Sequence, residues 1–232
     1  SVAGSGLALS TYVGSGSGKF RYNSNATTTN YSQALGTGLN LIYRQNPQLS
    51  ISSSSRSITY GASFSALTPT VSGLVNADTT GLALQGLSES LTGNSTSTQG
   101  YTKAGSYAIT PSAVSLLGYG TSSSNGTLTV TPKALTVTAL VTDANNKVYD
   151  GTAAATLQLS TNKFDNDLVT AVPSSAFFAN KNVGTGKTIT ATGLSLTGID
   201  AANYSLSSTT AASTGNITAK ALSLSYAGVN KV

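Results

Sequence analysis

The chain has 232 residues, a formal net charge of +5 and 8% charged residues, against roughly 25% in ordinary soluble domains. It contains no Cys, His, Met or Trp, and Glu89 is its only glutamate. A Ser-His-Asp triad, a thiolate nucleophile and a Cys/His zinc site are therefore excluded, and little general-acid capacity remains. We expect no enzyme activity and no cofactor.

The twelve Lys and Arg residues are scattered among seven acids, without a basic cluster interleaved with aromatic residues. This predicts a mildly cationic surface, without nucleic acid as a partner. No run of residues reaches the 18 or so apolar positions of a membrane span. Ser1 opens neither with an initiator Met nor with a signal peptide, so we expect any export signal upstream.

Residues 1–46 are rich in glycine and serine and carry short apolar alternations at Phe20–Tyr22 and Leu39–Tyr43. The alternations predict strands, and the Gly/Ser run at 14–18 predicts a turn or a flexible loop between them. The segment lacks the pattern of the later chain. We interpret it as the tail of an upstream β region, or as a cap or linker.

Residues 47–133 form the first predicted β domain. Pro47 can end the preceding segment, because proline restricts its own backbone and that of Asn46. The strict period of two at Leu128–Thr131 is typical of a strand with one buried face. Further strands are predicted at 49–51, 71–75 and 104–110, with a turn at 76–78.

Residues 134–220 follow the same plan with different residues. Strands are predicted at 135–139, 188–192, 194–197 and 216–220, and the best helical candidate, Asp200–Tyr204, is one turn long. The expected fold is all-β: tandem small β-sandwich-like domains in an elongated array, after a glycine/serine-rich β segment. We expect both domains to share one topology, with less than about a fifth of the residues helical.

Two motifs recur along the chain. Lys133–Thr138 (KALTVT) returns as Lys220–Ser225 (KALSLS), and Asn146–Val148 returns as Asn230–Val232. A period of roughly 85 to 90 residues is too long for a solenoid turn and suits a small β domain. The sequence is therefore expected to be a window of a tandem array. Residues 221–232 would open a further, truncated repeat, with its first strand at 222–226 docked on the second domain, docked on a neighbouring molecule or ordered within a longer fibre.

The second domain contains four recognisable motifs: Lys147–Thr152 (KVYDGT), Lys181–Gly184 (KNVG), Gly198–Tyr204 (GIDAANY) and Ile217–Lys220 (ITAK). By these motifs it resembles the YDG domain. The first domain contains a related set at Ile58–Gly61, Ser72–Asp78, Ala104–Tyr107 and Asn125–Lys133. By these it is similar to the related MBG domain, a mostly-β, glycine-rich family. No Asp separates Tyr60 from Gly61, so two related families in tandem describe the chain better than one strict repeat.

The resemblance carries expectations about function. Both families occur in very long filamentous-haemagglutinin-like exoproteins of Gram-negative bacteria, many of them exported by two-partner secretion. Residues 1–46 look like the stretch that often precedes the first such domain. The resemblance implies an extracellular stalk or filament segment of a cell-surface adhesin or biofilm matrix protein. Its implied partners are neighbouring repeats, other copies in a fibre, and a host or matrix glycan. The alternative is that a domain itself binds glycan or a protein receptor.

Gly184–Thr188 (GTGKT) looks like the end of a phosphate-binding loop. The first glycine of that motif would fall where the chain has Lys181, and Ile189–Gly193 alternates like a strand and not like the required helix. We predict a β-turn here and no nucleotide binding.

Asp165 and Asp167 are weak candidates for calcium ligands. Calcium takes six to eight oxygens, so loops would have to bring further ligands to this pair. We favour a solvated loop without metal. Four tyrosines (Tyr60, Tyr107, Tyr149 and Tyr204) recur at matching positions of the two domains, which favours core or corner roles over a sugar-stacking platform.

Six Asn-x-Ser/Thr sequons offer weak candidates for glycosylation. Their number is what chance gives at this content of Ser and Thr. They lie at Asn25, Asn30, Asn94, Asn125, Asn203 and Asn216.

Overall fold

The computed structural model describes residues 12–226 and residue 228. The chain divides into two compact units. The first comprises Ser1–Ser95 and Ala104–Thr131, and the second comprises Thr96–Lys103 and Pro132–Val232. Over the described ranges, no helix is long and apolar enough to cross a membrane.

The first unit consists of strands joined by tight turns. A short helix, α1, covers Thr80–Ala83. The strands are β1 (Phe20–Arg21), β2 (Leu41–Ile42), β3 (Gln48–Ser52), β4 (Arg56–Thr59), β5 (Thr70–Ser72), β6 (Leu84–Thr92), β7 (Gly105–Ser115), β8 (Gly120–Ser124) and β9 (Gly126–Thr131).

The described strands of the first unit form three sheets. A four-stranded sheet has the order β4-β9-β7-β6, a three-stranded sheet has the order β5-β3-β8, and β1 and β2 form a short parallel pair. The hairpin β6-β7 is antiparallel, whereas β3 pairs with β8 and β4 pairs with β9 in parallel. The first long strands of the unit thus lie beside its last strands.

The core of the first unit includes the N-terminal segment. Phe20 and Tyr22 are buried in one cluster with Leu49, Ile51 and Leu117. The predicted boundary at Pro47 therefore marks a change of sequence pattern, while residues on both sides of it pack in the same core.

The second unit has the same strand-rich character. Short 3₁₀ turns cover Asp143–Asn145 and Ala201–Asn203. The strands are β10 (Lys133–Leu135), β11 (Val137–Ala139), β12 (Lys147–Val148), β13 (Leu159–Thr161), β14 (Thr170–Val172), β15 (Ser175–Phe178), β16 (Gly184–Thr192), β17 (Ser195–Thr197), β18 (Tyr204–Leu206) and β19 (Thr210–Thr218).

The second unit repeats the main sheet of the first. Its four-stranded sheet has the order β12-β19-β16-β15, in which β12 and β19 are parallel and β15-β16 is an antiparallel hairpin. Strand β10 pairs in parallel with β18, as β3 pairs with β8. The second unit also has the antiparallel pairs β11-β13 and β14-β17, whereas in the first unit β5 pairs with β3. The fold is all-β, as expected, and the prediction of one shared topology is confirmed for the four-stranded sheet and this parallel pair.

The core of the second unit lies on the inner face of this sheet. Phe178, Ile189 and Ile217 are buried together, and Ala191 and Ala211 continue the same face along β16 and β19. Exposed threonines alternate with these residues, which gives the period of two seen in the sequence.

Two local predictions need correction. Gly184–Thr188 lies within strand β16, where the register shifts between Gly184 and Lys187, so the segment is a β-bulge and not a β-turn. Residues 222–226 form no strand, and the side chains of Leu222, Leu224 and Tyr226 are about nine-tenths exposed. In both units the first strand pairs with a strand about 70 residues later, and no described residue pairs with 222–226 in this way.

Residues 1–11, 227 and 229–232 of the two predicted terminal segments lie outside the described residues.

Candidate functional site

A buried tyrosine-carboxylate cluster closes the turn at Val75–Asp78 in the first unit. The hydroxyls of Tyr22 and Tyr119 donate to the same oxygen of Asp78, over 2.7 Å and 2.8 Å. The Asp78 amide donates to the carbonyl of Val75, and the Val75 amide donates to the Tyr119 hydroxyl. The turn is therefore fixed by hydrogen bonds at both of its ends.

The second unit builds the equivalent cluster from other residues. The hydroxyl of Tyr204 donates to Asp167 over 2.6 Å and accepts from the amide of Phe164 over 2.9 Å. The Asp167 amide donates to the Phe164 carbonyl. Tyr204 therefore corresponds to Tyr119, and not to Tyr107 as the sequence suggested.

A loop from between β6 and β7 completes the cluster of the second unit. The Gln99 amide donates to Asp167, and the Gln99 side-chain oxygen accepts from the Asn166 amide. The Thr98 hydroxyl lies within hydrogen-bond distance of the Asn166 carbonyl and of the Asp200 carboxylate. Sequence patterns gave no signal for this loop, because its polar residues read as a solvated turn.

The environment shifts the pKa values of the cluster tyrosines. Burial raises the pKa of Tyr119 to about 12, and burial likewise raises the pKa of Tyr22 and of Tyr204 well above the ordinary value. All three phenols therefore stay protonated at neutral pH and act as hydrogen-bond donors to the carboxylates.

The KVYDGT turn is organised by the ammonium group of Lys147. Its nitrogen lies 3.0 Å from a carboxylate oxygen of Asp150, 2.9 Å from the Thr152 carbonyl, 3.1 Å from the Thr152 hydroxyl and 2.8 Å from the Ala154 carbonyl. An ammonium has three protons to donate, so these acceptors use them all. Lys147 has no donor left for an anionic ligand.

Asp150 and Gly151 complete this turn. The same Asp150 oxygen accepts from the amide and the hydroxyl of Thr152. The Thr152 amide and the ammonium of Lys147 lower the pKa of Asp150 to about 2. Gly151 has φ +82°, a conformation that suits glycine. The amide of Tyr149 donates to the Thr218 carbonyl, as that of Tyr60 donates to Thr131 in the first unit. The motif thus makes a self-contained turn.

The two calcium candidates are not brought together as a metal site. Asp165 is exposed, whereas Asp167 is buried and bonded to Tyr204 and Gln99. The ammonium of Lys163 lies 2.8 Å from the carbonyls of both Asp165 and Asp167. The Lys163 ammonium therefore already occupies the place where a metal ion would contact these two carbonyl oxygens. Across the described residues, no group of three or more acidic side chains could hold a metal ion.

Lys187, from the GTGKT segment, also acts inside its own unit. Its ammonium donates to the Asn180 side chain and to the Asn182 carbonyl. The Gly186 amide donates to the side chain of Asn216, and Gly186 has φ +61° within the bulge. The lysine therefore fastens the β15-β16 hairpin, and these groups lack the helix N-terminus that a phosphate-binding loop requires.

Two charged groups of the first unit are likewise engaged internally. The guanidinium of Arg21 is 2% exposed and donates to the carbonyls of Gly18, Phe20, Gln33 and Ala34. Glu89 is bonded to Arg56 and to the Leu67 amide. Burial alone would raise the pKa of Glu89, but these two partners lower it on balance, so the carboxylate is ionised.

The predicted glycosylation asparagines differ in accessibility. Asn203 is 1% exposed, and the side-chain oxygen of Asn25 accepts from Thr27 and Thr28 in a local turn. Asn216 is half-buried, whereas Asn30, Asn94 and Asn125 are exposed.

Of the four tyrosines expected to be structural, Tyr60 and Tyr204 are buried, and Tyr149 packs on the Phe178 cluster. Tyr107 is half-buried.

Among the described residues, the second unit has two surface depressions and the first unit has a smaller cavity. Two of about 330 Å³ lie in the second unit, one beside Asp143 and Asn216 and one beside Lys147. A smaller cavity of about 150 Å³ lies in the first unit, lined by Tyr22, Tyr43, Gln45, Pro47, Val75 and Asn76.

The fold and these sites define a tandem of two all-β domains that use polar side chains chiefly to hold their own loops. Comparison with family models identifies both. The MBG domain (YGX type) matches residues 49–129, and the YDG domain matches residues 131–212. The chain contains an MBG domain followed by a YDG domain, as the sequence motifs indicated. No curated protein and no solved structure matches it significantly.

Proposed function

We propose that this chain is a load-bearing stalk segment of a secreted, cell-surface bacterial adhesin or biofilm matrix protein. The families themselves support the coarser part of this proposal, because MBG and YDG domains are β-rich domains that recur in large repeat proteins. The specific role in bearing load rests on the strand pairing within each unit.

The parallel pairs join strands from opposite ends of each unit. In the first unit, β3 pairs with β8 over five residue pairs and β4 pairs with β9 over four. In the second unit, β10 pairs with β18 over three and β12 pairs with β19 over two. Tension on the two ends pulls parallel partners in opposite directions. All hydrogen bonds of a pair are then loaded at once and must break together.

This arrangement is the observation that carries the proposal. A stalk has to stay folded under tension, and resistance to forced unfolding is governed by the unfolding rate. Shear loading of several hydrogen bonds at once raises the barrier to unfolding and so lowers this rate. The first unit has the longer parallel pairs, so we expect it to resist more force than the second.

Single-molecule pulling of the full chain between its two ends tests this. We expect two separate unfolding events, each releasing roughly 300 Å of chain for the 84 to 86 residues between first and last paired strands, at about 3.6 Å per residue. A featureless extension at low force would refute the load-bearing role.

Pulling the same domain from a different pair of attachment points provides the control. The chain has no cysteine, so Ala62→Cys and Pro132→Cys give unique attachment points. These positions follow Thr59 and Thr131, which face each other at the same end of β4 and β9. Tension there breaks the pairs one at a time, and we expect a clearly lower force. Equal forces in both geometries would contradict the shear argument.

A replacement experiment separates the stalk from a binding module. Exchanging the segment for unrelated β domains of equal length should leave adhesion of the parent bacterium unchanged if the segment only spaces other parts. Loss of adhesion at an unchanged surface level would instead favour the alternative, in which a domain of this chain itself binds glycan or receptor.

A further inference from the structure

The cavity in the first unit combines features that a structural turn does not need. Tyr43 lines it, and the Tyr43 hydroxyl is buried without a hydrogen-bond partner in the described part of the chain. A buried hydroxyl left unpaired costs free energy, so its persistence calls for a partner from outside the chain. Gln45, also on the lining, is exposed and adds a side-chain amide to the opening of the cavity.

The turn that contributes Val75 and Asn76 to the lining passes through the left-handed region of backbone conformation. Asn76 and Ala77 have φ of +54° and +56°, which is uncommon for residues other than glycine. The Asn76 side chain donates to the Tyr22 hydroxyl, which in turn donates to Asp78. These bonds fix the amide of Asn76 and the rim formed by Val75. Strain of this kind clusters at binding sites, where the surrounding structure imposes it.

The second unit shows which chemistry this turn accepts. At its equivalent turn, the Thr98 hydroxyl lies 2.7 Å from the Asn166 carbonyl, and the Gln99 side-chain oxygen accepts from the Asn166 amide. The polar groups of that turn are thus satisfied by one hydroxyl and one amide of the protein. The turn of the first unit faces a cavity instead.

The size and charge of the cavity limit the kinds of ligand that it can bind. A volume of about 150 Å³ is room for about five waters at about 30 Å³ each, well below a drug-sized pocket. No lining side chain carries a formal charge, and Asp78 lies directly behind Tyr22, which disfavours an anion. Pro47, Val75 and the tyrosine rings offer apolar surface beside the hydroxyl and amide groups.

We propose that this cavity binds a single neutral pyranose residue. A pyranose has an apolar face of C–H groups and a rim of hydroxyls that both donate and accept, which matches the rings and the unpaired Tyr43 hydroxyl together. The site lies within one unit, so it does not depend on the load-bearing role proposed for the chain.

Nuclear magnetic resonance titration of the full chain tests the proposal. The probes are methyl β-D-galactopyranoside, methyl α-D-mannopyranoside and methyl N-acetyl-β-D-glucosaminide at millimolar concentrations, with glucuronate as the anionic comparison. We expect at least one neutral sugar to shift the amide signals of Val75 and Asn76 in a saturable way, and glucuronate to bind more weakly. Comparing a bound glycoside with its free sugar separates a glycan terminus from a free monosaccharide.

Tyr43→Phe provides the decisive variant. It keeps the ring and removes a hydroxyl that has no partner, so stability should be unchanged or slightly higher while binding weakens about five- to tenfold. Tyr31→Phe, outside the cavity, is the matched control and should bind normally. The proposal is overturned if no neutral sugar gives saturable shifts, or if Tyr43→Phe binds as tightly as the native chain.

Discussion

Replacing Tyr204 by phenylalanine isolates the tyrosine-carboxylate cluster of the YDG domain. The substitution keeps the buried ring and removes only the hydroxyl. Asp167 then loses its 2.6 Å donor and keeps the bond from the Gln99 amide, while the Phe164 amide loses its acceptor. The turn between β13 and β14 would be held by fewer bonds, and β18 would lose its link to that turn.

The expected cost follows from these two bonds. A hydrogen bond to a charged carboxylate contributes about 1.5–3 kcal/mol and one to a backbone amide about 0.5–1.5 kcal/mol. Together they predict a loss of about 2–4.5 kcal/mol in the free energy of unfolding. A difference of about 1.4 kcal/mol is about tenfold in an equilibrium constant, so the opening equilibrium should rise by roughly thirtyfold to more than a thousandfold.

Native-state hydrogen exchange at β10 and β18 measures this, because it reports on one unit even if the two units unfold separately. Tyr226→Phe is the matched control, since Tyr226 is 89% exposed and the same atom is removed. In Tyr226→Phe, hydrogen exchange at β10 and β18 should stay at the rate of the native chain. An acceleration below about threefold in Tyr204→Phe would refute the idea that this cluster holds the domain together.

Three further predictions follow. The folded chain holds the Tyr119 proton more tightly than the unfolded chain, because burial raises its pKa to about 12; the stability that this proton contributes should be complete below about pH 10 and lost as pH rises through about 12. Denaturation curves between pH 9 and 12 check this. Tyr119→Phe should make the dependence shallower, and the part that remains comes from Tyr22 and Tyr204, whose pKa values burial also raises. Lys147→Met should raise the pKa of Asp150 from about 2, while the Thr152 amide keeps it below the ordinary value. A pH titration of the Asp150 carboxyl signal by carbon-detected nuclear magnetic resonance measures this pKa. Gly198→Ala should destabilise by more than the about 1–2 kcal/mol expected for Gly151→Ala. Both have positive φ, but a Cβ at 198 would lie 2.1 Å from the Leu168 carbonyl, whereas one at 151 meets open space; urea midpoints compare the two variants.

Sequence patterns were sufficient for elements with a strict period of two. The alternation at Leu128–Thr131 and at Thr188–Thr192 predicted β9 and β16, because each buries one face. Strand β6 escaped prediction, since the Glu89 side chain is buried against the partly exposed Arg56 and the register shifts between Gln85 and Ser88. A buried carboxylate and a bulge remove the alternation of apolar and polar residues that identifies a strand.

The polar clusters could be predicted only in part. Matching motifs correctly paired Tyr60 with Tyr149, whose amides make the same bond in both units. Tyr119 gave no such signal, because its partner Asp78 lies 41 residues away and only the fold brings them together. The burial of Arg21 could not be predicted from the sequence either, because its four acceptors are backbone carbonyls, which every residue type has.

The lysines of the YDG domain have a consequence for the conditions under which its loops stay ordered. Lys147, Lys163 and Lys187 each bring a positive charge to a group of loop oxygens. Such a charge is covalently attached, so its effective concentration at the site does not change with dilution. A chelator cannot remove it, and a drop in divalent ions outside the chain leaves it in place. The corresponding vulnerability is chemical: acylation of the lysine amines would neutralise these charges and release loops that ion depletion leaves intact.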